Sequence, residues 1–226
     1  MPTNPRPTVP PHGGQPVLTA GAPLDETDRA MILVHGRGAT AASILTLADV
    51  FDRPDLAYLA PQASGNTWYP YSFLAPMENN EPGITSGLAL LGALVTHVEE
   101  AGIAPERIMI GGFSQGACLA SEFVARNPRR YGGLVVFSGG LIGPPGTPRA
   151  YPGDLAGLPV FIGCSDNDFH IPEARVTETA EVLAGMGADV TKIIYPNMGH
   201  TIIDDEIEHA RAIIDQLQTK DSTRSQ

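Results

Sequence analysis

Short apolar runs alternate with longer amphipathic segments along most of this chain, and that order leaves few folds open. The short runs are mostly β-branched or aromatic and predict strands: Met31–His35, Ala57–Ala60, Arg107–Gly111, Gly133–Phe137, Pro159–Gly163 and Val190–Tyr195. The longer segments predict helices: Ala41–Phe51, Ile84–Ala101, Gln115–Arg126, Pro172–Met186 and Asp204–Leu217. Strands that alternate with helices form a mostly parallel sheet covered on both faces. We therefore expect a three-layer α/β domain, to which Val17–Ala20 could add an antiparallel edge strand.

The domain is expected to span residues 17–218, with a polar, flexible tail at 219–226. Residues 1–16 contain six prolines and no apolar period, which predicts disorder. No apolar stretch is long enough to span a membrane and no signal peptide is apparent, so a cytoplasmic location is expected. The formal charge of −11 argues against nucleic acid and anionic membrane surfaces as partners. The two cysteines form neither a disulfide framework nor a metal-ligand pattern, and no metal site is expected.

A G-x-S-x-G pattern at residues 112–116 lies between a predicted strand and a predicted helix. A sharp strand-to-helix turn would hold Ser114 in a strained conformation, and Cβ atoms at the flanking glycine positions would collide with neighbouring backbone. The turn projects the serine hydroxyl from the carboxyl edge of the sheet, where ligands of open α/β sheets bind. It also points the helix N-terminus at a developing oxyanion. Ser114 is predicted to be a nucleophile; the alternative is a glycine-rich helix start with a capping serine.

A serine nucleophile needs a neighbouring base, and the best-placed histidine is His200. It follows the strand Val190–Tyr195 and precedes the last helix, at the same edge of the sheet as Ser114. The other histidines fall in the N-terminal segment, inside helices, in another motif or in a loop: His12, His97, His209, His35 and His170. The imidazole in turn needs a carboxylate to fix its tautomer. Both Asp166 and Asp168 follow a strand at this edge, and position alone does not choose between them.

The strand Met31–His35 runs into an H-G-x-G turn at residues 35–38. A tetrahedral intermediate of acyl transfer needs N–H donors where its negative charge develops, and a glycine-rich turn exposes backbone amides for that purpose. We expect the amides of Arg37 and Gln115 to form this oxyanion hole. The guanidinium of Arg37 either faces solvent or binds a carboxylate of the substrate.

Together these motifs resemble the phospholipase/carboxylesterase family of small α/β-hydrolases, which includes bacterial family VI esterases and the acyl-protein thioesterases. The resemblance runs from about residue 30 to residue 217 and includes a D-x-x-[VI]-P pattern at 168–172 and the pair Gly199-His200. It implies a three-layer α/β-hydrolase fold, with Arg37 and Gln115 as oxyanion donors. It also implies a catalytic triad of Ser114, Asp168 and His200, because the family's aspartate falls on Asp168 rather than Asp166.

Residues 61–82 are expected to form a long loop over the crevice, because they follow a strand and have no clear period. This loop and neighbouring residues are predicted to form an apolar wall for the substrate; the alternative is that its aromatic side chains seal the core. The predicted pocket residues are Trp68, Tyr71, Phe73, Met77, Phe113, Phe169 and Met198.

The expected activity is that of a serine carboxylesterase that hydrolyses small-molecule esters with short to medium acyl chains through an acyl-enzyme. No metal or organic cofactor is expected. A thioesterase or a lysophospholipase would use the same machinery, and a ligand-binding protein without activity is a rival from another class. Cys118 lies one helical turn past Ser114 and is expected to point into the helix packing, so a thiol mechanism is not expected. A homodimer is left open.

Overall fold

The computed structural model describes residues 9–217, which form a seven-stranded sheet covered by helices. The strands are β1 Val17–Gly21, β2 Ala30–Val34, β3 Ala57–Pro61, β4 Ile108–Phe113, β5 Gly133–Phe137, β6 Pro159–Ser165 and β7 Asp189–Tyr195. Their order across the sheet is β1-β3-β2-β4-β5-β6-β7. Only the β1–β3 pair is antiparallel among these neighbours. The predicted, mostly parallel sheet is confirmed, and β1 is its antiparallel edge strand.

Five helices cover the two faces of the sheet: α1 Ala41–Phe51, α2 Gly83–Glu100, α3 Gln115–Arg126, α4 Glu173–Gly185 and α5 Asp204–Gln216. Side chains of β2 alternate between the faces, since Ile32 packs in the apolar cluster of α2, α3 and α4, and Leu33 packs in that of α1 and α5. The three-layer prediction is therefore confirmed. None of the helices in the described part of the chain is long and apolar enough to cross a membrane.

The carboxyl ends of the parallel strands meet at one edge of the sheet, as their register requires. Val34 pairs with Gly112, Phe113 pairs with Phe137, and Ser165 pairs with Tyr195. The loops that follow β2, β4, β6 and β7 consequently open at this edge. This edge of the sheet carries the H-G-x-G turn, the G-x-S-x-G turn and the loops that contain Asp168 and His200.

Residues 9–16 pack against the domain, which corrects the disorder predicted for the part of segment 1–16 that the structure describes. His12 is fully buried, its Nε2 lies 2.9 Å from the carbonyl oxygen of Trp68, and its Nδ1 accepts the N–H of Ser64 at 3.1 Å. The N–H of His12 donates to the hydroxyl of Ser86 at 3.0 Å. Prolines disfavour regular structure here, but the buried side chain of His12 and the hydrogen bond from the Ser86 hydroxyl to the carbonyl oxygen of Val9 anchor the segment. Residues 1–8 and the predicted tail at 219–226 lie outside the described residues.

Candidate active site

Ser114 occupies the turn between β4 and α3 with φ 55° and ψ −121°, a conformation that residues with side chains rarely adopt. Its N–H donates to the carbonyl oxygen of Phe137 at 2.9 Å. A Cβ atom built on Gly112 would lie 2.6 Å from the carbonyl oxygen of Val34, and one on Gly116 would lie 2.1 Å from the same atom. Glycine is required at both places because the turn crosses directly over β2. The collisions expected from the sequence are therefore present.

The side chains of Ser114, His200 and Asp168 form a continuous hydrogen-bonded row. The Oγ of Ser114 lies 2.9 Å from Nε2 of His200, and Nδ1 of His200 lies 2.6 Å from Oδ2 of Asp168. A carboxylate can only accept, so Nδ1 carries the imidazole proton and Nε2 presents its lone pair to the serine hydroxyl. This arrangement can remove a proton from Ser114.

The environment of Asp168 keeps the carboxyl group ionised. Its burial alone would raise the pKa, but hydrogen bonds from His200 and from the N–H groups of His170 and Ile171 outweigh burial, and the pKa of Asp168 is lowered. The thiol of Cys164 also approaches Oδ2, at 3.7 Å. Asp166 instead accepts the N–H of Asn197 at the surface, so the structure brings Asp168 to the histidine.

The two predicted oxyanion donors face the crevice that holds Ser114. Gln115 is the first residue of α3, where an amide has no acceptor within the helix. The amide of Arg37 belongs to the turn after β2 and makes no hydrogen bond to the residues that the structure describes. Both residues line the same cavity as Ser114 and His200.

The side chains of these two residues hold the loop that follows β3. Arg37 is exposed to solvent, as one of the two predicted alternatives has it, and its guanidinium also donates to the carbonyl oxygens of Pro70 and Tyr71. Gln115 accepts the N–H of Trp68 at 2.8 Å and donates to the carbonyl oxygen of Tyr69 at 2.8 Å. This second role of Arg37 and Gln115 was missed in the sequence, because no motif marks it.

The crevice has a volume of about 390 Å³ and reaches from the H-G-x-G turn to the loop after β6. Three of the predicted pocket residues line it: Tyr71, Phe73 and Phe113. The lining residues that sequence reasoning did not select include Tyr69, Cys118, His170 and Ile171. The ring of His170 lies 4.8 Å from that of His200, centroid to centroid, as does the ring of Phe113.

Four predicted pocket residues do not line the crevice, and each lies in a different place. Trp68 is fully buried between His12 and His35, and its Nε1 donates to the carbonyl oxygen of His35 at 2.8 Å, so it seals the core. Met77 packs against the core near Arg126. Met198 is half-buried outside the cavity. Phe169 is 80% exposed at the rim, beside His170.

Cys118 lies at the floor of the crevice rather than wholly within the helix packing. Burial raises the pKa of its thiol to about 12, so the thiol stays neutral and is a poor nucleophile. The hydroxyl of Tyr69 faces this thiol and has no hydrogen-bond partner of proper geometry among residues 9–217. Burial also raises the pKa of Tyr69 well above its ordinary value.

Comparison with known proteins supports the family resemblance of the sequence motifs over nearly the whole chain. A family described as Phospholipase/Carboxylesterase matches residues 19–218. The crystal structure of a phospholipase/carboxylesterase from Dyadobacter fermentans is 43% identical, with a TM-score of 0.85, over 90% of this chain and 96% of that chain. Acyl-protein thioesterase 1 of Saccharomyces cerevisiae is 26% identical over 87% of this chain and 96% of that protein. The enzyme of the same name from Gibberella zeae is 31% identical, in a match that spans 52% of its length. The chain belongs to the phospholipase/carboxylesterase family and is a serine ester hydrolase.

Proposed function

We propose that this enzyme is a carboxylesterase in which Ser114 is the nucleophile, His200 is the general base and Asp168 orients the imidazole. The observation that carries the proposal is the row of hydrogen bonds from Ser114 through His200 to Asp168, at 2.9 and 2.6 Å. The strained backbone of Ser114 and the lowered pKa of Asp168 support the same roles.

In the proposed reaction, Nε2 of His200 takes the proton of Ser114 while Oγ attacks the ester carbonyl carbon. The carbonyl oxygen becomes an oxyanion that accepts hydrogen bonds from the amides of Arg37 and Gln115. The tetrahedral intermediate then collapses as His200 returns the proton to the leaving alcohol oxygen. Water activated by His200 attacks the acyl-enzyme in the same way and releases the carboxylic acid.

Small-molecule esters with short to medium acyl chains are the proposed substrates. A cavity of about 390 Å³ lies at the small end of the range of roughly 300–1,000 Å³ that is usual for ligand sites. Its aromatic wall of Tyr71, Phe73 and Phe113 suits an apolar chain. The formal charge of −11 remains the argument against nucleic acid as a partner. A cytoplasmic location and a homodimer stay predictions.

The test compares Ser114→Ala with Ser72→Ala, because Ser72 is a second serine that lines the same crevice. We expect Ser114→Ala to lose hydrolysis of p-nitrophenyl butyrate and labelling by a fluorophosphonate, with little loss of thermal stability. Ser72→Ala should keep both. Near-normal turnover by Ser114→Ala, or equal labelling of both variants, would refute the proposed nucleophile.

A thioesterase is the second candidate, because curated relatives from yeast and other fungi carry the name acyl-protein thioesterase 1. The same three side chains would serve, since an oxygen ester and a thioester differ in the leaving group. The three activities are distinguished by comparing the rates of hydrolysis of p-nitrophenyl butyrate (carboxylesterase), butyryl-coenzyme A (thioesterase) and a lysophospholipid (lysophospholipase). We expect the oxygen ester of the small alcohol to be hydrolysed with the highest kcat/KM.

A further inference from the structure

A second, smaller cavity of about 210 Å³ is lined by Phe113, which also lines the main crevice. We call it the α1 cavity, because it lies between α1 and the segment after His200. Ile44 and Leu47 of α1 line it, together with Phe113 and Ile202. Nothing in the reaction described above uses this space.

The α1 cavity adjoins the crevice that holds the nucleophile. Gly36, Ala39 and Phe113 line both spaces. A Cβ atom built on Gly36 would lie 3.4 Å from the Cβ of Ser114 and 3.4 Å from Cδ1 of Phe113. Gly36, which lines both cavities, therefore lies next to the serine that the proposed mechanism acylates.

The polar groups of the α1 cavity are already engaged by the protein. The Nε2 of His35 accepts the N–H of Ala63 at 3.0 Å. The hydroxyl of Ser43 donates to the carbonyl oxygen of Thr40 at 2.8 Å, and that of Thr46 donates to the carbonyl oxygen of Ser43 at 2.8 Å. An occupant thus meets mainly hydrocarbon, which favours an alkyl or aryl group over a polar one.

The position of the base decides which half of an ester faces this cavity. The leaving alcohol oxygen has to take its proton from Nε2 of His200, so the alcohol lies on the histidine side of the reacting carbon. Ile202 is two residues past His200, and the Phe113 ring shared by both cavities lies 4.8 Å from the His200 ring. Given the function proposed above, we propose that the α1 cavity binds the alcohol half of the substrate as a short apolar group, while the crevice holds the acyl half.

The test uses two isomeric esters: butyl acetate has its longer chain on the alcohol side, and ethyl butyrate has its longer chain on the acyl side. Thr46 is an exposed residue of α1 that lines the cavity, so Thr46→Trp should fill it without disturbing the core. Ala42 is exposed on the same helix and does not line the cavity, and Ala42→Trp is the matched control. Release of acid is followed by pH-stat, and melting temperatures verify that both variants are folded.

We expect Thr46→Trp to lower kcat/KM for butyl acetate by about ten-fold more than for ethyl butyrate. Each CH₂ group left in water changes the rate by roughly four-fold, and butyl has two more of them than ethyl. Ala42→Trp should change neither rate by more than about two-fold. For the wild type, kcat/KM on acetates should rise from methyl to butyl and then level off as the cavity fills.

The assignment of the α1 cavity would be overturned if Thr46→Trp lowered kcat/KM equally for the two isomers or more for ethyl butyrate. It would also be overturned if kcat/KM of the wild type were the same for all the acetates. The same discrimination produced by Ala42→Trp would also overturn it. Failure of the wild type to hydrolyse any of these esters or to react with a fluorophosphonate would instead overturn the proposed function. The two failures are therefore distinguishable.

Discussion

Glu206, in the first turn of α5, is a fully buried carboxyl group whose ionisation should make the enzyme less stable as pH rises. Its Oε2 accepts the N–H of Ile203 at 3.0 Å, and its Oε1 has no hydrogen-bond partner among residues 9–217. Oε1 lies so close to β6 that a Cβ atom on Gly163 would be 2.1 Å from it. Burial raises the pKa of Glu206 to about 7; the Ile203 amide opposes this shift, and the negative charge of Asp205 adds to it.

The direction of the change in the free energy of unfolding follows from how many protons Glu206 binds in the folded and in the unfolded state. Between the ordinary glutamate pKa of 4.5 and about 7, the folded state binds a proton on Glu206 that the unfolded state has lost. The free energy of unfolding therefore falls as pH rises through this window. At about 1.4 kcal/mol per pH unit, the loss from this one group is about 3 kcal/mol. Below pH 4.5 both states are protonated and the loss disappears.

We expect Glu206→Gln to remove this dependence, because glutamine can still accept the N–H of Ile203 but does not ionise. Urea unfolding at pH 5 and pH 8 should show the wild type losing roughly 2–3 kcal/mol more than the variant over this interval. Glu208→Gln is the matched control, since Glu208 is exposed on the same helix and should leave the wild-type dependence intact. Parallel pH profiles for wild type and Glu206→Gln would refute the argument.

Three further predictions concern the site and the residues around it. Asp168→Asn should lower kcat by about 10⁴-fold by reversing the tautomer of the histidine, whereas Asp166→Asn should keep kcat within a few-fold; similar losses in steady-state kinetics would contradict the assignment. Gly116→Ala should destabilise the fold by about 3 kcal/mol, because the methyl group meets the Val34 carbonyl oxygen at 2.1 Å; an unchanged urea midpoint would argue against this turn. Tyr69→Phe removes an unpaired buried hydroxyl and should keep or raise stability by about 1 kcal/mol; a loss above about 2 kcal/mol would contradict that reading.

The parts of this enzyme that are predictable from sequence are those with short-range causes. Apolar runs and helical periods gave the order of strands and helices, because each face of a parallel sheet must be covered. The conformation of Ser114 follows from two glycines placed where Cβ atoms would meet the Val34 carbonyl group. The edge that holds His200 follows from the rule that parallel strands end together.

The parts that were not predictable depend on contacts between distant segments. The prolines around His12 indicate disorder, yet the histidine is buried by pairing with Trp68, 56 residues away. Trp68 and Phe169 are both aromatic residues after strands, but one is fully buried and the other 80% exposed. Composition and spacing do not distinguish these outcomes, because both side chains follow the same local pattern and differ in what packs against them.

Arg37 and Gln115 connect the proposed chemistry to the shape of the pocket. Their amides are the proposed oxyanion donors, while their side chains hold the carbonyl oxygens of Tyr69, Pro70 and Tyr71. The same two residues thus connect the amides proposed to bind the oxyanion with the loop proposed to bound the acyl group. An oxyanion hole works because its donors are oriented before the charge develops, and in the proposed mechanism these side-chain bonds supply that orientation from outside the reacting centre. A backbone role in catalysis therefore still constrains side-chain identity at both positions.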